Sequence, residues 1–211
     1  MMHRRSLKII VALLTSVSIF GVSNPAGAAT STSSGDAIVS KVFKTNDPQN
    51  AYQKLNKSQK QAFDKTMKVA NVEVTMTPTR RASQPVTPGM VRAAAYNGCW
   101  SLSITGRAKN SVGKVLYTYW QTTAICANNN RVTAVWMDNA GGETSTPGWR
   151  IERGPDLTTR NVGWEGRGIA QYHFVLGVGG YDIQHPTNCL QGRLNGSTAY
   201  MYGSSSSCNP N

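Results

Sequence analysis

The 211-residue chain is 39% hydrophobic and 15% charged, with 20 glycines, 8 tyrosines and 5 tryptophans, a turn-rich β composition that excludes a disordered chain or a coiled coil and fits one ordinary domain plus an extra segment. Its formal charge of +12 points to an anionic partner, but ten basic against four acidic residues lie in 30–95 and only nine against six in 96–211. The β-rich part is thus mildly basic, and nucleic acid is not an expected partner.

Residues 1–8 form a basic n-region, residues 9–22 an apolar stretch and Pro25-Ala26-Gly27-Ala28-Ala29 a small-residue cleavage site. Residues 1–29 therefore read as a secretory signal peptide cut after Ala28 or Ala29, which places the protein outside the cell. As a helix the apolar stretch rises only about 21 Å, short of the ~30 Å hydrocarbon core, so no membrane span is expected after cleavage.

Residues 30–46 are Ser/Thr-rich and read as mobile. Asp47-Pro48 supplies an N-cap followed by proline at the first helical position, so a helix starts there. Tyr52, Leu55, Ala62, Phe63 and Met67 fall near one face of a helical wheel, and Asn56 with Gln59 forms a second capping box, which leaves one helix or two open. Lys54, Lys57, Lys60, Lys65 and Lys68 cover the remaining surface, a solvated face in the simpler reading and a phosphate-binding stripe in the sharper one. Residues 71–76 alternate as one short strand, and the run TPTRRASQPVTPG reads as a linker. Arg80-Arg81 inside it is placed for an extracellular protease. Residues 30–95 are thus a basic helical segment with a Pro/Thr-rich linker, either a removable pro-segment or an appendage packed on the β-rich region.

From Asn97 the strands come quickly. Trp100, Leu102 and Ile104 alternate with Ser101, Ser103 and Thr105, residues 110–113 turn, and residues 114–127 return. A four-residue loop pairs Lys109 with Lys114, Ile104 with Tyr119 and Cys99 with Ala124, with a bulge closing the gap to Cys126. Residues 128–130 turn into a strand over 131–138, and Asn139-Ala140-Gly141-Gly142 turns again. A short strand over 149–153 ends at Gly154-Pro155-Asp156. Residues 168–178 set Ala170, Tyr172, Phe174, Leu176 and Val178 on one face and Gln171 and His173 on the other. Gly179-Gly180 turns into residues 181–185, where Pro186 stops the strand. Asn195-Gly196 predicts a two-residue hairpin loop, with Cys189 opposite Tyr202.

Four cysteines in an exported chain allow three connectivities. Hairpin geometry favours Cys99 with Cys126 and Cys189 with Cys208, each bridge contributing about 3 kcal/mol. An immunoglobulin-type pin from Cys126 to Cys189 is the rival, though position 187 is Thr where that fold has tyrosine. Zinc is disfavoured by the oxidising compartment and the lack of C-x-x-C spacing, so no metal is expected.

No hydrolase, Walker A or Rossmann signature is present, and no cofactor is expected. His173 with Asp182 and some serine are the only candidates for catalysis, and an ordinary surface histidine is the simpler reading. Aromatic rings on a β scaffold carry the better hint, because they stack on sugars or anchor partners. Trp100 and Trp136 read as core. Trp120 stands between Thr118 and Thr122, and a one-residue register change moves it between the polar and apolar faces. Trp149 and Trp164 sit in turn-like contexts and are expected to be exposed, with Arg150 and Arg167 as donors to carboxylate or phosphate.

The Ala-Gly-Ala signal end, Asn97-Gly98-Cys99-Trp100, Leu116-Tyr117-Thr118-Tyr119-Trp120, Arg131-Val132-Thr133, Gly148-Trp149-Arg150 and Gln171-Tyr172-His173-Phe174 are similar to small secreted actinobacterial proteins of uncharacterised function. That resemblance covers residues 97–211; it implies export and a β domain and transfers no catalytic residue. The expected architecture is mainly β: an antiparallel β-sandwich or open barrel of about seven to nine strands, disulfide-bonded over 96–211 and preceded by the basic helical segment. The expected function is that of a monomeric, secreted, non-catalytic binding protein, its partner an anionic cell-envelope glycan or another extracellular protein. A secreted hydrolase or a protease-inhibitor-like protein matured from a precursor is the alternative.

Overall fold

A computed structural model of the chain describes residues 34–81, 97–196 and 201–204. The expected signal peptide and Cys208 lie outside the described residues. Two antiparallel sheets pack face to face as a β-sandwich. The first runs in the order β1 (Asn71–Arg81), β2 (Gly98–Lys109), β3 (Val115–Asn128) and β4 (Arg131–Thr144). The second runs β5 (Trp149–Asn161), β6 (Glu165–Val178), β8 (Thr187–Asn195) and β9 (Met201–Ser204), with β7 (Tyr181–Gln184) paired to the last residues of β6.

Two-residue alternation places the core. Trp100, Leu102 and Ile104 of β2, Tyr117, Tyr119 and Ile125 of β3, and Ala170, Tyr172, Phe174, Leu176 and Val178 of β6 are all buried between the sheets. Aromatic rings bridge the two layers: Tyr117 stacks on Phe174 at 4.0 Å, and Tyr119 meets Tyr172 at 4.9 Å. Their hydroxyls are not left dry. Asn188 Nδ2 donates to Tyr117 Oη at 2.9 Å, and Tyr172 Oη donates to the Trp120 carbonyl at 2.5 Å. Between the sheets, Gln121 Nε2 donates to the Gly168 carbonyl at 3.2 Å. A Cβ at Gly168 would meet Thr123 Oγ1 at 2.1 Å, so the close approach of the layers depends on that glycine.

Bulges account for the differences from the expected strands. Asn110 closes the β2–β3 loop through Asn110 N to Lys114 O at 3.0 Å, and its Oδ1 accepts from Lys114 N at 2.8 Å. The extra residue is therefore absorbed beside that loop, between Lys109 opposite Val115 and Ala108 opposite Tyr117. Ile104 then faces Gln121 instead of Tyr119, and Cys99 faces Cys126 directly. Those two cysteines are bonded, which rules out the pin from Cys126 to Cys189. The bridge expected between Cys189 and Cys208 has its second partner outside the described residues.

The turn expected over 139–142 is instead part of β4, and the one at 154–156 is a register shift inside β5. Asn195 stays in β8 opposite Glu165, and Gly196 N donates to the Trp164 carbonyl at 2.8 Å. The two-residue hairpin at Asn195-Gly196 is thereby replaced by a longer connection, with Leu194 opposite Met201 and Arg193, not Cys189, opposite Tyr202. The expected tight turns do form at Asn129-Asn130 and at Gly179-Gly180, where all four residues have positive φ.

Three helices precede β1: α1 (Gly35–Phe43), α2 (Pro48–Gln53) and α3 (Lys57–Met67). Asp47 caps α2 and the Asn56–Gln59 box caps α3, so the two capping signals mark two helices. The stretch expected to be mobile contains α1, because Ser34 caps it and Ile38, Val39 and Val42 share a buried face. These helices belong to the same compact unit as the sandwich. Phe63 and Met67 of α3 are fully buried, and Asn110 Nδ2 donates to the Thr66 carbonyl at 2.8 Å. Residues 77–81, read as linker, extend β1 to pair with β2. Removal of residues 30–95 would take away this edge strand and uncover the helix contacts.

Trp149 is the main correction to the expected surface. It is 5% exposed, its ring lies 4.8 Å from Tyr117, and its Nε1 donates to the Met67 carbonyl at 3.0 Å. Gly148, at φ 84°, and the bond from Gly177 N to its carbonyl at 2.8 Å turn the chain so that β5 starts with the indole pointing inward. Trp149→Phe keeps most of the aromatic area but strands that carbonyl, so an expected loss of about 1–3 kcal/mol should appear in urea unfolding.

Candidate functional site

The outward face of the first sheet is built by register. Its three central rows, read from β1 to β4, are Thr79–Ser101–Ala124–Trp136, Thr77–Ser103–Thr122–Asn139 and Thr75–Thr105–Trp120–Gly141. Seven hydroxyl side chains, one amide and two indoles thus stand on one face with no charged residue in these rows, although Ser101 and Ala124 are buried. Ser103 and Thr122 join their hydroxyls at 2.9 Å across the central pair. β-branched threonine is favoured in strands, which explains the composition of the rows without explaining why the face is so uniformly polar.

Trp120 occupies the polar face, the question that its sequence context left open. It stands directly opposite Gly141, and a Cβ on that glycine would meet the indole Cζ2 at 2.9 Å and Cε2 at 3.2 Å. The ring therefore fills the space above the glycine and is half-buried. Tyr119 covers Gly106 in the same way on the core side, so neighbouring residues of β3 use cross-strand glycines on opposite faces.

Trp136, expected in the core, is half-buried on the outward face. A register shift between Thr122 and Thr123 places Asn139 and Met137 opposite them, extruding Asp138, and a second near Cys126 extrudes Thr133. Between the bulges Trp136 faces Ala124, and Asp138 Oδ1 accepts from its Nε1 at 2.5 Å. Trp120 and Trp136 are two rows apart, about 13 Å along the strands. Charge returns on one side at Arg81, opposite Cys99, and on the other side at the next row, where Glu73, Arg107, Thr118 and Glu143 align. There the Lys109 ammonium, hydrogen-bonded to Glu73, holds its carboxyl below the usual range.

The other predicted site residues lie elsewhere. Trp164 is exposed, as expected, in the turn between β5 and β6. Arg167, in β6, bonds Glu165 Oε1 through its Nε at 2.6 Å. Arg150 crosses Gly177 to reach Asp182 Oδ1 at 2.8 Å. His173 does not pair with Asp182; its Nε2 lies 3.0 Å from Asp156 Oδ2 and 2.8 Å from Arg153 Nη2. Asp182 is engaged by Arg150 and lies 3.6 Å from His185 Nε2. The imagined His173–Asp182 pair is thus split between two separate ion clusters. Among the described residues no group of three His, Cys, Asp or Glu could hold a metal ion, and no helix is long and apolar enough to cross a membrane.

Fold and face together define a disulfide-linked antiparallel β-sandwich with a hydroxyl-rich, tryptophan-bearing patch on the outward face of its first sheet. No family model, curated protein or solved structure matches the chain.

Proposed function

We propose that the protein is a secreted, non-catalytic glycan-binding protein that holds a cell-envelope polysaccharide against the outward face of its first sheet. The observation that carries this reading is Trp120 packed over Gly141 among Thr75, Thr105, Ser103 and Thr122. A pyranose ring has an apolar face and a rim of hydroxyls. An indole held against a sheet offers the complementary surface, and the threonine and serine hydroxyls around it both donate and accept. Trp136, fixed by Asp138, offers a second ring at a spacing that spans more than one sugar. Export is supported by the signal-like residues 1–29 and by the Cys99–Cys126 bond, which persists in an oxidising compartment.

Co-sedimentation with peptidoglycan sacculi and with insoluble neutral polysaccharides tests the reading. Trp120→Ala and Trp136→Ala should each weaken binding about tenfold, the equivalent of ~1.4 kcal/mol, while Trp164→Ala should leave it unchanged. Binding retained in both sheet-face variants, or absent in the wild type, would discard the reading.

A further inference from the structure

The helical layer carries a charge excess of its own. Residues 34–70 hold seven lysines against three aspartates, a formal charge of +4. All three aspartates are engaged. Asp47 Oδ1 accepts from Asn50 N at 3.0 Å as the cap of α2, Asp64 Oδ2 lies 2.9 Å from Lys68 Nζ, and Asp36 Oδ1 lies 3.7 Å from Lys114 Nζ. Each of the chain's ten acidic residues lies among the described residues, so no acidic side chain elsewhere can neutralise the remaining lysines. Lys57 and Lys60 have no carboxylate within ion-pairing distance.

Helical spacing brings these two together. Lys57, Lys60, Asp64 and Lys68 recur every three or four residues along one side of α3. The Asp64–Lys68 pair closes one end of the stripe, so its cationic end is the one next to α2. Like charges one turn apart destabilise a helix, a cost that a bound anion reverses. At that end Lys60 Nζ lies 5.7 Å from the centre of the Tyr52 ring. Tyr52 packs edge-on against the buried Phe63 at 5.0 Å and stands 6.4 Å from Tyr181 of β7. Gln49 of α2 fits against the turn before β7, where a Cβ on Gly179 would meet its backbone N at 2.7 Å. The patch is thus held by α2, α3 and the turn into β7, with Tyr181 49% exposed on it.

We propose that the patch formed by Tyr52, Lys57, Lys60 and Tyr181 docks a phosphodiester-linked polymer of the cell envelope. Ammonium groups bind phosphate as point charges without demanding one orientation, which suits a flexible, repeating polyanion. The tyrosine rings offer an apolar face to the polyol or sugar between phosphates, with hydroxyls at their rims. An anionic bilayer fits less well, because residues 34–70 expose no large aliphatic side chain for insertion. The patch shares no residue with the face proposed for the glycan, and either stands if the other fails.

The test uses the full mature chain at about 0.1 M ionic strength, where charges more than ~10 Å apart are largely screened. Electrophoresis in gels containing purified glycerol-phosphate teichoic acid reads polymer binding, and flotation with phosphatidylglycerol vesicles reads membrane binding. The wild type should be retarded by the polymer and should not float with the vesicles. Lys57→Gln with Lys60→Gln, which keeps good helix formers at both positions, should weaken retardation about tenfold. Tyr181→Ala should weaken it about threefold or more. Arg131→Glu removes the same two units of charge beside Gly163, at the far end of β6 and roughly 40 Å from the patch. That variant should stay within about twofold of the wild type, with thermal unfolding confirming that all three variants fold. A wild type that the polymer does not retard overturns the proposal, as does full retardation of the lysine variant. An equal loss in Arg131→Glu overturns it too, since attraction to net charge alone would then suffice. Flotation that depends on Lys57 and Lys60 without retardation by the polymer would give the patch to a membrane instead.

Discussion

Phe174→Ala is expected to cost about 3–5 kcal/mol, a large share of the ~5–15 kcal/mol that stabilises a typical domain. Phe174 is 1% exposed and lies at the crossing of both layers, stacked on Tyr117 at 4.0 Å and 5.9 Å from Tyr119. A Cβ on Gly142 of the opposite sheet would meet its Cζ at 3.0 Å, so the ring also fills the space which that glycine leaves. Truncation therefore opens a cavity bordered by aromatic rings and a β-sheet backbone, neither of which collapses readily. Phe174→Leu keeps much of the volume and should cost clearly less. Equilibrium urea unfolding followed by tryptophan fluorescence measures both, and a Phe174→Ala loss below about 1 kcal/mol would show that the layers do not pack through this ring.

How much of this fold could be read from the chain depended on whether a signal was local. Strand β6 was legible almost whole, because Ala170, Tyr172, Phe174, Leu176 and Val178 alternate without interruption and the following Gly179-Gly180 turns at once. The helix caps at Asp47 and Asn56 were legible for the same reason. Local signals misled where a glycine served packing instead of turning. Gly141 and Gly142 read as a turn, yet they continue β4 because one lies under Trp120 and the other against Phe174. Nothing in the neighbouring sequence distinguishes a glycine that bends the chain from one that makes room for a ring two strands away.

The glycan face was half visible. Alternating hydroxyls at Ser101, Ser103 and Thr105, and Trp120 flanked by Thr118 and Thr122, were already signs of a polar sheet surface. Thr75, Thr77 and Thr79 repeat the pattern in β1 and would have extended it, had residues 77–81 not looked like linker. Trp136 was out of reach, since its face is decided by bulges on both sides of it, at Thr133 and Asp138. Trp149 misled in the opposite sense: turn residues before it described the path of the backbone, while the destination of the indole was set by the Met67 carbonyl, remote in sequence.

Alkali above pH ~11 should unfold this protein cooperatively, and three buried phenols fix the direction. Burial pushes the hydroxyl of Tyr117 up to about 12, and burial raises Tyr119 and Tyr172 further still. Below the ordinary phenol range, near pH 10, these groups are protonated in the folded and unfolded chain alike, and stability is fully present. As pH rises past that range the unfolded chain releases protons that the folded chain retains, so stability falls until the folded-state values are passed. Each phenol contributes a loss of about 1.4 kcal/mol per pH unit in that window, or roughly 4 kcal/mol per unit for the three together. A domain stabilised by about 5 kcal/mol, the low end of the ordinary range, is exhausted within little more than about one unit by this term alone. Circular dichroism and tyrosinate absorbance, followed together, should change in one step for these residues above pH ~11, because the phenols ionise by leaving the core. Tyr119→Phe removes one titrating group, so the pH dependence of stability should become about one third shallower in that variant. If all the tyrosines ionised reversibly near pH ~10 with the β signal intact, the hydroxyls would have to be in contact with water and the aromatic layer could not be the dry core of the sandwich.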